Sequence, residues 1–207
     1  GWAGQSDAGA YAMLGLARRI GDPTMIERGQ RALDWLAQAP FNDGGFLLNY
    51  NADNGQWKDQ DPVSQGQAME VFARAIVAGR GVSGVKTLRW EAFLKKACTL
   101  HARRILQPDW KPVNTAEAFF VSPLSKAFQL FGDAEYKLAA VKAGEYYARR
   151  HLDMREPYWG GTLDANCEDK EGAWAGFQAF LALYELTRER RFLDWAAHAL
   201  DVTLTYT

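Results

Sequence analysis

The chain is poor in the residues that most metal and redox sites require. Its 207 residues include only two cysteines, Cys98 and Cys167, and three histidines. Their spacings do not suggest a zinc site, and two cysteines are more consistent with thiols than with a disulfide framework. Fingerprints of phosphate-binding loops, dinucleotide-binding loops and serine hydrolases are also missing. We therefore expect no metal and no cofactor.

Strong net charge and long apolar runs are missing as well. The formal net charge is −1 at pH 7, which gives no bulk attraction to nucleic acid or to an anionic membrane. No apolar run approaches the length of a membrane span, and no signal peptide is visible. The sequence therefore predicts a soluble protein in an unspecified compartment, without a nucleic-acid partner or a membrane span.

The length of the chain is sufficient for one domain with a sizeable core. We expect a single domain over residues 1–207. The chain begins with glycine rather than methionine, which is compatible with a processed product, an expression remnant or a segment of a larger protein.

Apolar residues at spacings of three and four dominate the chain and predict about eight helices. The predicted helices cover roughly residues 6–20, 23–39, 61–79, 86–106, 115–131, 134–150, 169–187 and 190–206. Pro23 suits the first turn of the second helix. Pro123 falls inside the fifth, where a proline kinks the helix or restarts it with Ser122 as the cap.

Odd-numbered helices start near residues 6, 64, 115 and 169, a repeat of about 50 residues that is typical of helical hairpins. The odd helices are apolar on all sides and the even ones carry polar faces, which indicates inner and outer helices. The sequence therefore predicts an all-α fold, an (α/α) toroid of about four helical hairpins with small β-hairpins on one rim.

Long links run from even to odd helices, so we expect them to gather above the N-termini of the inner helices. Two of them, at residues 44–61 and 158–169, share a glycine pair followed by aromatic and carboxylate residues. Asn54-Gly55 predicts a β-hairpin with a type I′ turn in the first link. The segment 160–164 predicts a shorter hairpin in the second.

Carboxylates are the acid and base groups that this rim offers. Asp61, Asp169 and Glu171 lie at the starts of inner helices, where the helix dipole favours a charged base or nucleophile. Plain N-capping also explains Asp61 and Asp169. Glu117 is the candidate acid, because the two phenylalanines that follow it would desolvate its carboxyl group.

Aromatic residues on the same links have faces that stack on the C–H faces of sugar rings, although packing of the loops explains them equally well. The candidate substrate-binding residues are Phe46, Tyr50, Trp57, Gln65, Trp110, Tyr158, Trp159, Asp164 and Trp174.

Hairpin repeats with glycine-pair rim loops resemble the six-hairpin glycosidase superfamily of (α/α) toroids, although four hairpins are short of six. The pattern Gly44-Gly45-Phe46, Asp53-Asn54-Gly55, Gln65 and Phe72 is similar to the N-acylglucosamine and cellobiose 2-epimerases. Gln67 stands where that family has an arginine, and its acid and base histidines have no counterpart here. The segment Ser64-Gln65-Gly66-Gln67-Ala68 with Arg74-Ala75 is similar to glucuronyl C5-epimerases.

These resemblances imply a protein that acts on carbohydrate, either an oligosaccharide or a sugar containing uronic acid. Glycoside cleavage requires a protonated carboxyl and a second carboxylate. The leading hypothesis is therefore a glycoside hydrolase, or a segment of one, with Asp61, Glu117, Asp169 and Glu171 as acid and base candidates. The alternatives are a sugar or uronic-acid epimerase and a non-catalytic helical-repeat binding or scaffold module. Of the two glycine-pair links, the second is favoured because it ends in Glu168-Asp169-Lys170-Glu171.

Overall fold

A computed structural model describes residues 3–112, 115–151 and 169–206, and only the backbone of residues 3–10. The helices in these ranges are α1 (Ala3–Ile20), α2 (Pro23–Leu36), α3 (Pro62–Arg80), α4 (Leu88–Leu106), α5 (Ala116–Phe131), α6 (Ala134–His151), α7 (Lys170–Thr187) and α8 (Arg190–Leu204). The eight predicted helices are confirmed, with ends that differ by a few residues. The chain forms two compact units, Gly1–Cys98 and Thr99–Thr207.

Aspartate side chains cap the starts of α2, α3 and α7. Asp22 accepts a hydrogen bond from the backbone N–H of Thr24 at 2.8 Å, and Asp61 accepts one from Ser64 at 2.8 Å. Asp169 accepts one from the N–H of Glu171 at 3.0 Å. Each carboxylate pairs a donor that the helix itself leaves unsatisfied. These contacts fix where the helices begin.

Helix α5 runs through Pro123 and does not restart at Ser122. The N-cap residue is Thr115, and the Ser122 hydroxyl instead accepts a hydrogen bond from Lys126 Nζ at 2.6 Å. Residues 116–125 are all buried, including Pro123 itself. Close packing on every side of the helix holds this conformation although proline lacks an N–H for the helical ladder.

In the unit Gly1–Cys98, α1 packs against α2 and α3. The link between α2 and α3 forms two antiparallel β-hairpins, β1 (Phe41–Asn42) with β2 (Gly45–Phe46) and β3 (Asn49–Asn51) with β4 (Gln56–Lys58). The first hairpin was not predicted, because strands of two residues leave no periodicity in the sequence.

The second hairpin has a longer loop than predicted. Asn51 pairs with Gln56, so residues 52–55 form the loop in place of a two-residue turn. A type I′ turn needs positive φ at both central residues. Gly55 has φ 70°, whereas the φ angle of Asn54 is not positive. The Asn54 side chain instead accepts a hydrogen bond from Gln56 N at 3.1 Å. The shorter hairpin predicted at 160–164 lies outside the described residues.

In the unit Thr99–Thr207, α5 packs against α6 and α7, and α7 also packs against α8. Gly144 lets α6 approach α7 closely, because a Cβ atom at this position would overlap the Leu183 side chain. The starts of α5 and α7 and the end of α6 therefore belong to one packed unit.

Within the described parts of the chain, no helix is long and apolar enough to cross a membrane.

Candidate functional site

The segment around Gly44 and Gly45 in the first unit, here called the glycine-pair loop, is held by the side chain of Gln65 in the first turn of α3. Its Oε1 accepts a hydrogen bond from Phe46 N at 3.1 Å, and its Nε2 donates one to Gly44 O at 3.1 Å. Gly45 lies between these contacts with φ 114°, and a Cβ atom there would overlap Gln65 Oε1. Gln65, a predicted substrate-binding residue, thus binds the backbone of its own loop in this structure.

Gln60 supports the same loop from the other side. Its Nε2 donates to Asn42 Oδ1 at 2.8 Å and to Gly45 O at 3.0 Å. Asp61, a predicted catalytic residue, follows directly and caps α3. The two glutamines therefore join the loop to the start of the helix.

The predicted aromatic residues of this link lie in two packed groups. Phe46 is buried, and its ring lies 4.9 Å from that of Phe93. Tyr50 and Trp57 are cross-strand partners whose ring centroids are 5.3 Å apart. Both contact Trp35 of α2, at 5.1 Å and 4.9 Å. This arrangement docks the second hairpin onto α2.

In the second unit, Glu117 and Arg150 form an ion pair at the start of α5 and the end of α6. Arg150 Nη1 lies 2.7 Å from Glu117 Oε1. The Glu117 side chain has no exposed surface, and 12% of the Arg150 side chain is exposed. The neighbouring guanidinium favours the ionised carboxylate. Glu117, predicted as an acid, is thus ion-paired and inaccessible in this structure.

Tyr147 and His151 lie beside this ion pair on α6, and their rings are 4.2 Å apart. Burial, then the charge of Glu117 and to a smaller extent that of Asp169, raises the pKa of the Tyr147 hydroxyl well above its usual value, against the opposing charge of Arg150. Burial, then the charge of Arg150, lowers the pKa of His151 to about 3. At neutral pH the phenol is therefore protonated and the imidazole neutral.

The protonated Tyr147 hydroxyl donates a hydrogen bond to the carbonyl of Gly172, at 2.5 Å. Gly172 directly follows Glu171 in the first turn of α7. The buried groups on α5 and α6 are thereby connected to the backbone next to a predicted catalytic carboxylate.

Glu171 and Trp174 lie three residues apart on α7 and therefore on the same side of the helix. Glu171 is half-buried, and 38% of the Trp174 surface is exposed, although the residues directly before and after Trp174 are buried. The Trp174 ring lies 6.3 Å from that of Phe119 on α5. Asp169 caps the same helix. The structure therefore places a cluster of three predicted site residues at the start of α7.

The remaining predicted residues lie elsewhere or are not described. Trp110 contacts the Tyr146 ring at 5.5 Å, and Lys142 Nζ lies 5.9 Å from the centre of the Trp110 ring. Tyr158, Trp159 and Asp164 lie outside the described residues, as does Cys167.

Sequence reasoning missed Tyr147 and Arg150. Arg150 lies in a run of basic residues at the end of α6. The favourable interaction of positive charges with the helix dipole already explains such a run. Tyr147 lies on an amphipathic helix where an aromatic residue is ordinary core. The signal available in the sequence was the position of both residues in the last turns of an even helix, immediately before a long link.

No group of three or more His, Cys, Asp or Glu residues in the described ranges is arranged to hold a metal ion. His101 is buried and stacks on Phe120 at 4.4 Å; burial, then the charge of Arg104, lowers its pKa to about 3. Cys98 is a buried free thiol whose pKa is raised by burial. The carboxylates at the start of α7 remain the candidate acid and base groups of this site.

Comparison with known proteins shows the fold. No protein-family model matches the chain, and no curated protein matches it in sequence. Among solved structures, a cellobiose 2-epimerase from Bacillus thermoamylovorans B4167 matches with a TM-score of 0.67 at 11% identity. The match covers 99% of this chain and 60% of that one. The predicted all-α fold, an (α/α) toroid of helical hairpins, is thereby confirmed.

Proposed function

We propose that this chain is a carbohydrate-active enzyme, or a segment of one, that cleaves a glycosidic bond with carboxylates at the start of α7. The observation that carries the proposal is that Glu171 and the exposed Trp174 lie on the same side of that helix. An aromatic face binds the C–H face of a sugar ring, and a carboxyl one turn away then lies beside the bound sugar.

Two carboxylates with different surroundings suit glycoside hydrolysis. Asp169 caps α7, and a carboxylate at such a position can serve as a base or nucleophile. A sugar stacked on Trp174 would exclude water from Glu171, and desolvation favours the protonated carboxyl that donates to the leaving oxygen. We therefore assign Asp169 as the base or nucleophile and Glu171 as the acid.

Glu117, Tyr147 and Arg150 have a supporting role in this proposal. Glu117 and Tyr147 are fully buried, which keeps them from touching a sugar in this conformation. The Tyr147 hydrogen bond to Gly172 O fixes the backbone that carries Glu171. Asp61 lies in the other compact unit and stays a candidate only through its helix-start position.

Site-directed variants of the 207-residue chain test the assignment on a panel of oligosaccharides, with release of new reducing ends as the readout. We expect Glu171→Gln and Asp169→Asn each to lower kcat/KM by about 10²–10⁴-fold. Glu185→Gln, an exposed carboxylate near the other end of α7, is the matched control and should keep wild-type turnover. Wild-type turnover in Glu171→Gln would reject the assignment.

Epimerisation is the second candidate, favoured by the structural match to a cellobiose 2-epimerase. An epimerase would exchange a carbon-bound hydrogen without cleaving the sugar chain. Turnover in D2O separates the two reactions: deuterium in an intact sugar supports epimerisation, and two shorter products support hydrolysis. Sugar binding with neither product would support a binding module.

A further inference from the structure

Helix α3 of the first unit carries a polar face that the proposed reaction does not use. Gln67, Glu70 and Arg74 are spaced by three and four residues, so they lie on one side of the helix. All three are half-buried, whereas most other positions between residues 64 and 76 are buried and apolar. Tyr11 of the neighbouring helix α1 also contacts Arg74. We refer to these four residues as the α3 polar face.

Glu70 and Arg74 form the centre of this face. Arg74 Nε lies 2.6 Å from Glu70 Oε1, and the exposed fractions of the two side chains are 41% for arginine and 12% for glutamate. Burial alone would lower the pKa of Arg74, but the hydrogen bond and charge of Glu70, together with the Tyr11 hydroxyl, outweigh burial and raise it. The two side chains therefore form an ion pair whose charges compensate each other.

The chemical groups on this face match a polyhydroxylated ligand. A carboxylate only accepts hydrogen bonds and a guanidinium only donates them, whereas an amide and a phenol do both. Arg74 has five N–H donors, and among the described residues its contacts with Glu70 and Tyr11 engage a minority of them. Gln67 and Arg74 are seven residues apart, or about 10 Å along the helix axis, which suits contact with more than one sugar residue.

We propose that Tyr11, Gln67, Glu70 and Arg74 bind the hydroxyl groups of a neutral sugar. This inference rests on the proposed carbohydrate function and narrows its substrate class. A uronate carboxylate would need an uncompensated cation, and Glu70 neutralises the arginine on this face. Adjacent donors and acceptors, by contrast, bind neighbouring sugar hydroxyls without a change in net charge.

Binding to the 207-residue chain tests the proposal independently of turnover. The neutral probes are cellotetraose, maltotetraose and mannotetraose, the anionic probe is tetragalacturonate, and saturation-transfer NMR with titration measures affinity. We expect at least one neutral probe to bind more tightly than tetragalacturonate, with little dependence on salt. Binding of none of the neutral probes, or tighter and salt-sensitive binding of tetragalacturonate, would overturn the proposal.

Variants then locate the site. Arg74→Gln and Glu70→Gln should each weaken binding of the neutral probe by about tenfold to a hundredfold, since each removes hydrogen bonds to a charged group. Glu70→Gln additionally leaves Arg74 uncompensated, so its affinity for tetragalacturonate should rise. Tyr11→Phe removes a single hydroxyl and keeps the Glu70–Arg74 pair, so it should weaken binding of the neutral probe by less.

The control is Arg190→Gln, which breaks a pair of the same i, i+4 geometry with Asp194 on α8. Circular dichroism and thermal unfolding confirm that each variant is folded before it is titrated. Neutral-probe binding that survives in folded Arg74→Gln and Glu70→Gln rejects this site. The result is separable from the α7 assignment, because Glu171→Gln tests turnover and leaves the α3 polar face intact.

Discussion

Arg150 Nη1 lies 2.7 Å from Oε1 of Glu117, a carboxylate with no exposed surface, and this pair joins the end of α6 to the start of α5. Removing both charges from water is expensive, and the attraction between them compensates for that loss only while both partners are present. The pair is thus a point at which the second unit is sensitive to substitution.

Arg150→Met should therefore destabilise the chain strongly. We expect the free energy of unfolding to fall by about 3–5 kcal/mol, because the substitution leaves the buried Glu117 carboxyl without its arginine. Urea titration followed by tryptophan fluorescence measures this change. The double variant Glu117→Gln/Arg150→Met should recover part of the loss, and Arg190→Gln, which breaks an exposed ion pair on α8, should leave stability unchanged. A double variant that is less stable than Arg150→Met would contradict the account.

Gly45→Ala tests the close approach of the glycine-pair loop to Gln65. Gly45 and Gly84 both have positive φ, 114° and 86°, but only Gly45 has a side chain in the space that a Cβ atom would occupy. Backbone strain alone accounts for about 1–3 kcal/mol in each alanine variant. We expect Gly45→Ala to be the more destabilising of the two in urea, because it also displaces the Gln65 amide. Equal losses would show that the overlap is relieved at no cost.

Acidification should destabilise the chain through its two buried histidines. The pKa values of His101 and His151 are about 3 in the folded chain, against 6.5 for an unperturbed histidine. Between these values the unfolded state binds more protons, so stability falls as the pH falls, by about 1.4 kcal/mol per pH unit for each histidine. Urea midpoints between about pH 7 and about pH 4 measure the slope. His101→Phe keeps a ring on Phe120 and should reduce that slope; an unchanged slope would show that His101 does not contribute.

Two substitutions of Asp169 distinguish its role as a helix cap from a role in catalysis. Asp169→Ala removes the cap of α7 and should lower the free energy of unfolding by about 1 kcal/mol, whereas Asp169→Asn keeps an acceptor for the Glu171 N–H. If Asp169 is the base or nucleophile, the asparagine variant loses turnover while its stability stays near wild type. Asp22→Asn, which alters the cap of α2, is the matched control and should keep turnover. Full turnover in Asp169→Asn would show that Asp169 caps α7 and has no part in catalysis.

Local patterns predicted the helices and their caps well, because these depend on residues a few positions apart. Apolar periodicity located α1 to α8, and Asp61 and Asp169 were predicted as possible caps from their positions. The turn at Asn54-Gly55 was predicted as a hairpin but not with its true loop length, since only tertiary packing decides which residues pair.

Contacts between distant residues were the part that the sequence did not predict. Glu117 and Arg150 are 33 positions apart, and nothing local distinguishes Arg150 from the basic residues before it. Phenylalanine neighbours predicted burial of Glu117 correctly, but not the arginine that favours its charged form. Gln65 likewise looked like a rim residue that reaches a ligand, and its contacts with Gly44 and Phe46 depend on how the loop folds back onto α3.

The Gln65 contact also imposes an order on folding. The N–H of Phe46 has its hydrogen bond to Gln65 Oε1 only when the first turns of α3 have formed and oriented that side chain. The glycine-pair loop therefore cannot complete its native hydrogen bonds before the start of the helix that follows it in the chain. Exchange of the Phe46 amide hydrogen with solvent should consequently report on the opening of α3, a different element from the strand β2 that contains Phe46.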